Sequence, residues 1–166
     1  MAEQERSDPG APEPPRIVVG VDGSSAALEA LAWAAREVEL RGGVLQVVYA
    51  RTFRRDFLDL YPDVERLENR VLDDAVARAK VLEPSIAVVG IAVDPPAPRA
   101  LVEASDGADL LVVGSRGLGG FEGLTLGSVS QQCSHHARCP VVIVRPQGSG
   151  PGKDLGHHGR DARGRP

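Results

Sequence analysis

The chain has 166 residues and a formal net charge of −4, and its residues are 42% hydrophobic but only 4% aromatic. This length suits one domain, whose core must be built mainly from Val, Leu, Ile and Ala. The basic residues are dispersed among acidic ones, which argues against a nucleic-acid-binding protein because duplex binding needs clustered Lys and Arg.

The first predicted segment, residues 1–15, is a disordered tail. It combines prolines with acidic residues and lacks the apolar stretch of a signal peptide. No apolar run in the chain approaches the roughly 18 residues that a membrane-spanning helix needs. The chain has two cysteines, Cys133 and Cys139, which are expected to be reduced. The sequence therefore predicts a cytoplasmic protein that has no membrane partner.

Five short apolar runs alternate with helical patterns between residues 16 and 146, which predicts one domain over these residues. The predicted strands cover residues 17–21, 44–49, 86–93, 109–114 and 140–144. The predicted helices cover the segment from Ser24 or Ser25 to Gly42, then residues 63–82, about 98–105, and 127–138. Residues 51–62 are predicted to be a loop, and residues 147–166 a second disordered tail rich in Gly, Pro, His and Arg.

This alternation predicts the fold class: a doubly wound, Rossmann-like α/β domain with an open five-stranded parallel sheet, strand order 3-2-1-4-5, and helices on both faces. Such sheets bind ligands outside the carboxyl ends of their strands, where the strand order reverses. The long helix over residues 63–82 is expected to bury one apolar stripe. Its members are Val64, Leu67, Val71, Leu72, Ala75, Val76 and Ala79.

A glycine-rich stretch over residues 114–130 carries most of the chemical information. Glycines crowd a loop between a strand and a helix, where backbone N–H groups can converge on a phosphate chain. Gly127 and Ser128 open the helix that follows, and the free N–H groups and positive dipole end of a helix favour anions. Ser128 and Ser130 are expected to add hydroxyl donors. Arg116 is expected to add a positively charged guanidinium group that can donate hydrogen bonds to phosphate oxygens.

The spacing Gly114-x2-Gly117-x9-Gly127-Ser128 resembles the ATP-binding signature of universal stress proteins. Residues 17–24 are similar to that family's first strand and turn, and residues 139–144 to its last strand. The resemblance covers the whole predicted domain and neither tail. It implies an ATP site, occupied together with Mg²⁺, and a homodimer formed through the fifth strand, residues 141–144, whose outer edge is otherwise exposed.

The resemblance also implies roles for individual residues. Those expected around the adenosine are Gly20, Val21 and Asp22, with Val44 or Leu45 closing the adenine side. Those expected around the ribose and phosphates are Gly114, Ser115, Arg116 and Gly117. Those expected to hold the phosphate chain at the helix start are Gly127, Ser128, Val129 and Ser130.

Plainer structural interpretations stand beside these roles. Asp22 could cap the first helix or sit in a turn, the glycines could serve tight turns alone, and Arg116 could face solvent. A zinc site is disfavoured, because a single helical segment cannot present its ligands at tetrahedral angles. The ligands such a site would use are Cys133, His135, His136 and Cys139.

Several functions remain open. The favoured one is ATP as a regulatory ligand rather than a substrate, because no lysine follows the glycine loop as it does in a P-loop. A slow ATPase that uses Asp22 is an alternative, and a family member that binds no nucleotide is another. A phosphorylation switch of the receiver type is nearly excluded, because Arg145 and Pro146 stand where its lysine is required.

Overall fold

The computed structural model describes residues 13–118 and 126–146. The strands there are β1 (Arg16–Val21), β2 (Val44–Ala50), β3 (Ala87–Val93), β4 (Leu110–Gly114) and β5 (Val141–Val144). The helices there are α1 (Ser25–Arg41), α2 (Arg55–Leu58), α3 (Pro62–Leu82), α4 (Ala97–Ala104) and α5 (Ser128–His136). All neighbouring strands pair in parallel, in the order β3-β2-β1-β4-β5. The predicted fold class is therefore confirmed. The predicted tails lie almost wholly outside the described residues, so their disorder and the domain bounds stay predictions.

Both faces of the sheet are covered by helices. Ile17 and Val19 of β1 pack into a core cluster with α1 and α3, whereas Val18 packs into a second cluster with Leu101 of α4 and Cys133 of α5. This alternation follows from the geometry of a strand, whose successive side chains point to opposite faces. Because both faces are covered, β1 is buried on each side and needs the continuous apolar run that its sequence shows.

The ends of α1 are fixed by Ser24, one of the two serines at which the sequence predicts the helix to start, and by Gly42, its predicted end. The Ser24 hydroxyl oxygen accepts a hydrogen bond from the Ala27 N–H at 3.3 Å, which makes Ser24 the N-cap. Gly42 adopts a left-handed conformation, φ +71°, and its N–H donates to the Val38 carbonyl. Only glycine takes that conformation at little cost, so the helix ends there.

We expect Ser24→Ala to lower the free energy of unfolding by about 1 kcal/mol, because the first turn of α1 loses its side-chain cap. Urea unfolding followed by circular dichroism measures this difference. Ser25→Ala is the matched control, since Ser25 is exposed and already lies within the helix. An equal loss in the two variants would contradict the role of Ser24 as the cap.

The segment predicted to be a loop, residues 51–62, contains α2 and the first residue of α3. Leu58 of α2 is fully buried, and the rings of Phe53, Phe57 and Tyr61 stack with centroid separations of 4.7 and 4.6 Å. The loop prediction was wrong because the mixed charge and three aromatic residues of this segment give no helical pattern, and only one residue, Leu58, is buried. One buried leucine and ring stacking are enough to order one helical turn here.

The apolar stripe predicted for α3 is also wrong at one position. Leu67 is 64% exposed, whereas its neighbour Glu68 is buried. One Glu68 carboxylate oxygen accepts a hydrogen bond from the Thr52 N–H at 2.8 Å, which fixes the turn that follows β2. Burial raises the pKa of nearby Tyr49, and the negative charge of Glu68 acts in the same direction. The helix is thus rotated so that a charged residue faces the end of β2.

Cys133 lies on the buried face of α5 and is fully enclosed in the core. Burial raises the pKa of its thiol to about 11, so almost all of it is protonated near pH 8, and the thiolate is the reactive form. We expect iodoacetamide to alkylate half-buried Cys139 well before Cys133 in the native protein, as mass spectrometry of peptides would show. Equal rates in the folded state, with both thiols reacting in urea, would contradict this placement.

Within residues 13–118 and 126–146, no helix combines the length and apolar character needed to cross a membrane. The same residues contain no group of three or more His, Cys, Asp or Glu side chains that could hold a metal ion.

Candidate functional site

A cavity of about 500 Å³ opens at the carboxyl ends of the strands. β1 lies between β2 and β4 in the sheet. The connection that follows β1 runs to one face of the sheet and the connection that follows β4 runs to the other, so a crevice forms between the ends of these two strands. The volume lies within the range of about 300–1,000 Å³ usual for small-molecule sites.

The strand ends supply one wall. Gly20, Val21 and Asp22 line it at the end of β1, and Gly114 lines it at the end of β4. Gly114 also lies directly against α1, because a Cβ atom at this position would come within 2.7 Å of the Ala26 carbonyl carbon. The glycine lets α1 pack onto the strand that forms the wall.

The prediction for β2 is corrected by the strand register. Val44 pairs with Arg16 and Leu45 with Ile17, at the amino-terminal start of both strands, so neither residue reaches the cavity. Val48 and Ala50, near the carboxyl end of β2, line it instead. In a parallel sheet, only residues near the carboxyl ends share the edge at which the ligand site forms.

A second wall comes from α4, which the sequence reasoning did not assign to the site. Ala97 and Leu101 line the cavity, and the Leu101 side chain lies against Gly20. Leu101 is buried in the same core cluster as Val48. These side chains make this end of the cavity apolar. The apolar spacing of α4 signals a buried face, but nothing in it signals a neighbouring cavity. The remaining unpredicted lining residues are Ala27, Val113, Leu118 and Leu126.

The opposite end is formed by Arg116, Gly117 and the start of α5. Gly127 is the N-cap of α5 and offers no side chain to cap it. The N–H groups of Ser128, Val129 and Ser130 belong to the first turn of a helix and have no partner within it. No carboxylate among the described residues lies within ion-pair distance of Arg116. This end of the cavity is therefore rich in donors and positively polarised.

Two serines in this region act differently from the prediction. Ser115 is buried and does not line the cavity; its carbonyl accepts hydrogen bonds from the Gly127 N–H at 2.7 Å and from the Ser130 hydroxyl at 3.0 Å. The Ser130 hydroxyl also lies 2.9 Å from the Gly127 carbonyl. Ser130 lines the cavity, but its hydroxyl is committed to the protein. Together, the two serines hold the two ends of the glycine loop against each other.

Asp22 connects two segments at the cavity edge. One carboxylate oxygen accepts a hydrogen bond from the Ser24 N–H at 2.9 Å, and the other from the Leu118 N–H at 3.2 Å. The first contact is the turn that the sequence offered as an alternative role, with Gly23 at φ +83°. Asp22 thus lies in a turn and lines the cavity at once. The central part of the glycine loop, residues 119–125, lies outside the described residues.

Comparison with known proteins gives a consistent result. The family model described as "Universal stress protein family" matches residues 14–145. Two universal stress proteins of Mycobacterium tuberculosis are 34% identical over 138 residues and 37% identical over 148 residues, each match covering 81% of this chain and 46% of the relative. The chain therefore spans about half the length of the curated relatives it matches. A crystal structure described as a universal stress protein in complex with cAMP is 29% identical, with a TM-score of 0.64, over 81% of this chain and 99% of that one.

Proposed function

The chain belongs to the universal stress protein family, and from that premise we propose that it binds ATP, with Mg²⁺, as a regulatory ligand in the cavity between β1 and β4. The observation that carries the proposal is the division of this cavity into an apolar end and a donor-rich end. Adenine nucleotides have the same division, with a flat base at one end and an anionic chain at the other.

The apolar end suits a base. Val48, Ala50, Ala97 and Leu101 offer aliphatic surface from two sides, β2 and α4. Such surface contacts the faces of a purine ring without providing groups that need hydrogen bonds. The universal stress protein solved with cAMP has an adenine nucleotide as its ligand, which supports adenine as the base for this chain.

The donor-rich end suits phosphate. The N–H groups at the start of α5 and the positive end of its dipole attract an anion, and Arg116 adds a full positive charge beside them. Mg²⁺ would reach the site with the phosphate oxygens, since this ion keeps several waters and is usually held by phosphates and one or two carboxylates. Asp22 is the single carboxylate among the described lining residues.

A regulatory role fits the state of Asp22 better than rapid turnover. Both of its oxygens already accept hydrogen bonds from backbone N–H groups, so the carboxylate is engaged in holding two loops rather than in orienting an attacking water. We therefore propose that bound ATP changes the state of the protein rather than being consumed.

We also propose a homodimer through β5. This strand pairs with β4 on one side only, so it is an edge of the sheet, and all four of its residues are partly exposed. Adding a second β5 would pair the free backbone groups and cover these side chains. Analytical ultracentrifugation tests whether the protein forms this dimer.

The cytoplasmic location stays a prediction from the sequence.

The nucleotide itself is tested in two steps. The freshly purified protein is denatured and its released small molecules are identified by mass spectrometry. The stripped protein is then titrated by calorimetry with ATP and Mg²⁺, and in parallel with AMP, cAMP and GTP. Saturable binding with ATP tightest supports the proposal. Binding that is tightest for cAMP or AMP would replace ATP by that ligand, and no binding of any nucleotide would overturn the proposal.

Replacing Arg116 tests the phosphate end separately. We expect Arg116→Gln to weaken ATP binding by about tenfold, because one charge-assisted contact to phosphate is lost. Adenosine carries no phosphate, so its affinity should be unchanged and serves as the internal control. Equal weakening of ATP and adenosine would show that Arg116 supports the cavity wall rather than the phosphate.

A further inference from the structure

We infer that Asp22 is a positioning residue: its carboxylate holds the start of the glycine loop in place before any ligand arrives, and Gly117 is a glycine because of this contact. The site would then be partly preassembled by a contact within the protein. This inference deepens the proposed function, on which its affinity experiment rests, but its structural part concerns the ligand-free protein.

The first step is the pair of hydrogen bonds at Asp22. Ser24 belongs to the turn after β1, and Leu118 to the loop after β4, 96 positions along the chain from Asp22. A single carboxylate therefore links the two loops that flank the crevice. Hydrogen bonds from N–H groups to an ionised carboxylate are among the stronger ones in proteins.

The second step concerns what surrounds Gly117. A Cβ atom built there would lie 2.5 Å from one Asp22 carboxylate oxygen and 3.6 Å from its carboxyl carbon, and apart from Gly117 and its two chain neighbours no other described residue comes within 4 Å. The φ angle of Gly117 is not in the left-handed region, so backbone conformation does not demand glycine here. The space that the missing side chain leaves is the space that the carboxylate uses to reach the Leu118 N–H.

The third step is the consequence for Arg116. Leu118 is 77% exposed, so side-chain packing does little to fix this part of the loop. The hydrogen bond to Asp22 restrains the backbone two residues after Arg116, which lines the cavity. Asp22 therefore acts on an anionic ligand through Arg116, in addition to any contact of its own.

The structural part is tested without nucleotide, by NMR measurement of amide–water exchange. We expect Asp22→Ala to speed exchange of the Leu118 amide by about tenfold, as loss of one charge-assisted hydrogen bond implies. Asp94→Ala is the matched control, since Asp94 also follows a strand but lines a different groove. Gly117→Ala should reproduce the effect while leaving Asp22 intact, and Asp22→Asn serves if the alanine variant folds poorly. Unchanged exchange at Leu118 in folded variants would overturn the inference.

A double-mutant cycle tests the link between Gly117 and Asp22. Gly117→Ala should weaken ATP binding by about tenfold in the parent chain and have almost no further effect in the Asp22→Ala background, because Asp22 is the neighbour that the added methyl group meets among the described residues. A second full loss in that background would show that Gly117 serves the ligand directly, and would overturn the inference. If the parent binds no nucleotide, the proposed function fails, and the exchange experiment alone decides the role of Asp22.

Discussion

Gly127→Asp should weaken ATP binding by about a hundredfold or more while leaving the protein folded, because like charges brought together cost several kcal/mol. Gly127 has φ −78° and ψ 166°, an extended conformation open to any residue. The new carboxylate would accept hydrogen bonds from the free N–H groups of α5 and so occupy the proposed phosphate position. Aspartate is also a better N-cap than glycine, which should add a few tenths of a kcal/mol to the stability of the helix. Calorimetry measures the affinity, and thermal unfolding verifies the fold.

Gly127→Asn is the control that separates charge from size. A Cβ atom at this position lies 3.3 Å from the Arg116 Cα, so both variants crowd the loop equally. Asparagine caps the helix as aspartate does but carries no charge, and its loss of affinity should be much smaller. Retained affinity in a folded Gly127→Asp protein would show that the anion binds elsewhere.

Gly114→Ala should lower the free energy of unfolding by about 3 kcal/mol, at the upper end of what overpacking usually costs. The added Cβ would lie 2.7 Å from the Ala26 carbonyl carbon and 2.9 Å from its Cβ. These atoms belong to the backbone and first side-chain carbon of a buried helix, so α1 as a whole must move away from β4. Urea unfolding measures the loss.

Gly20→Ala is the control variant that tests whether the kind of neighbouring atom, backbone or side chain, determines the loss of stability. Its Cβ would come equally close, 2.8 Å, but to the Cδ1 atom of Leu101. A leucine side chain can change its rotamer, so we expect a loss of only about 1 kcal/mol. Losses of equal size at Gly114 and Gly20 would contradict the idea that the kind of neighbouring atom sets the cost.

The centre of the sheet could be predicted from the sequence because strands β1, β2 and β4 are buried on both faces. Burial on both faces requires continuous apolar runs, and these stand out between Gly- and Pro-marked turns. The glycine spacing predicted the start of α5 for a similar reason. Where two backbone segments lie close together, only glycine fits without crowding, so the position of the contact can be read from the sequence. The family assignment followed from the same residues.

The parts that could not be predicted depend on relations between elements. The resemblance implies Val44 or Leu45 at the cavity but does not fix which position along β2 closes it. The register with β1 shows that both residues lie at the amino-terminal end of the strand, whereas Val48 and Ala50 line the cavity. In the sequence, Leu101 cannot be distinguished from the other apolar residues of α4. Only the packing of that helix against the sheet shows that its side chain lies beside Gly20. On α3, periodicity favoured Leu67 over Glu68, because a spacing rule cannot anticipate that the Thr52 N–H needs an acceptor.

The pairing of β1 with β4 has a consequence for how the protein is made. Ile17 pairs with Leu110, so a ribosome must release most of the domain before this junction can close. Until then one side of β1 has no neighbour, and the crevice does not exist. Pairing between such distant segments is slow because the entropy of closing the chain must be overcome first. A nucleotide that bridges the two strands would stabilise only the folded protein, holding this junction together without hastening the steps that lead to it.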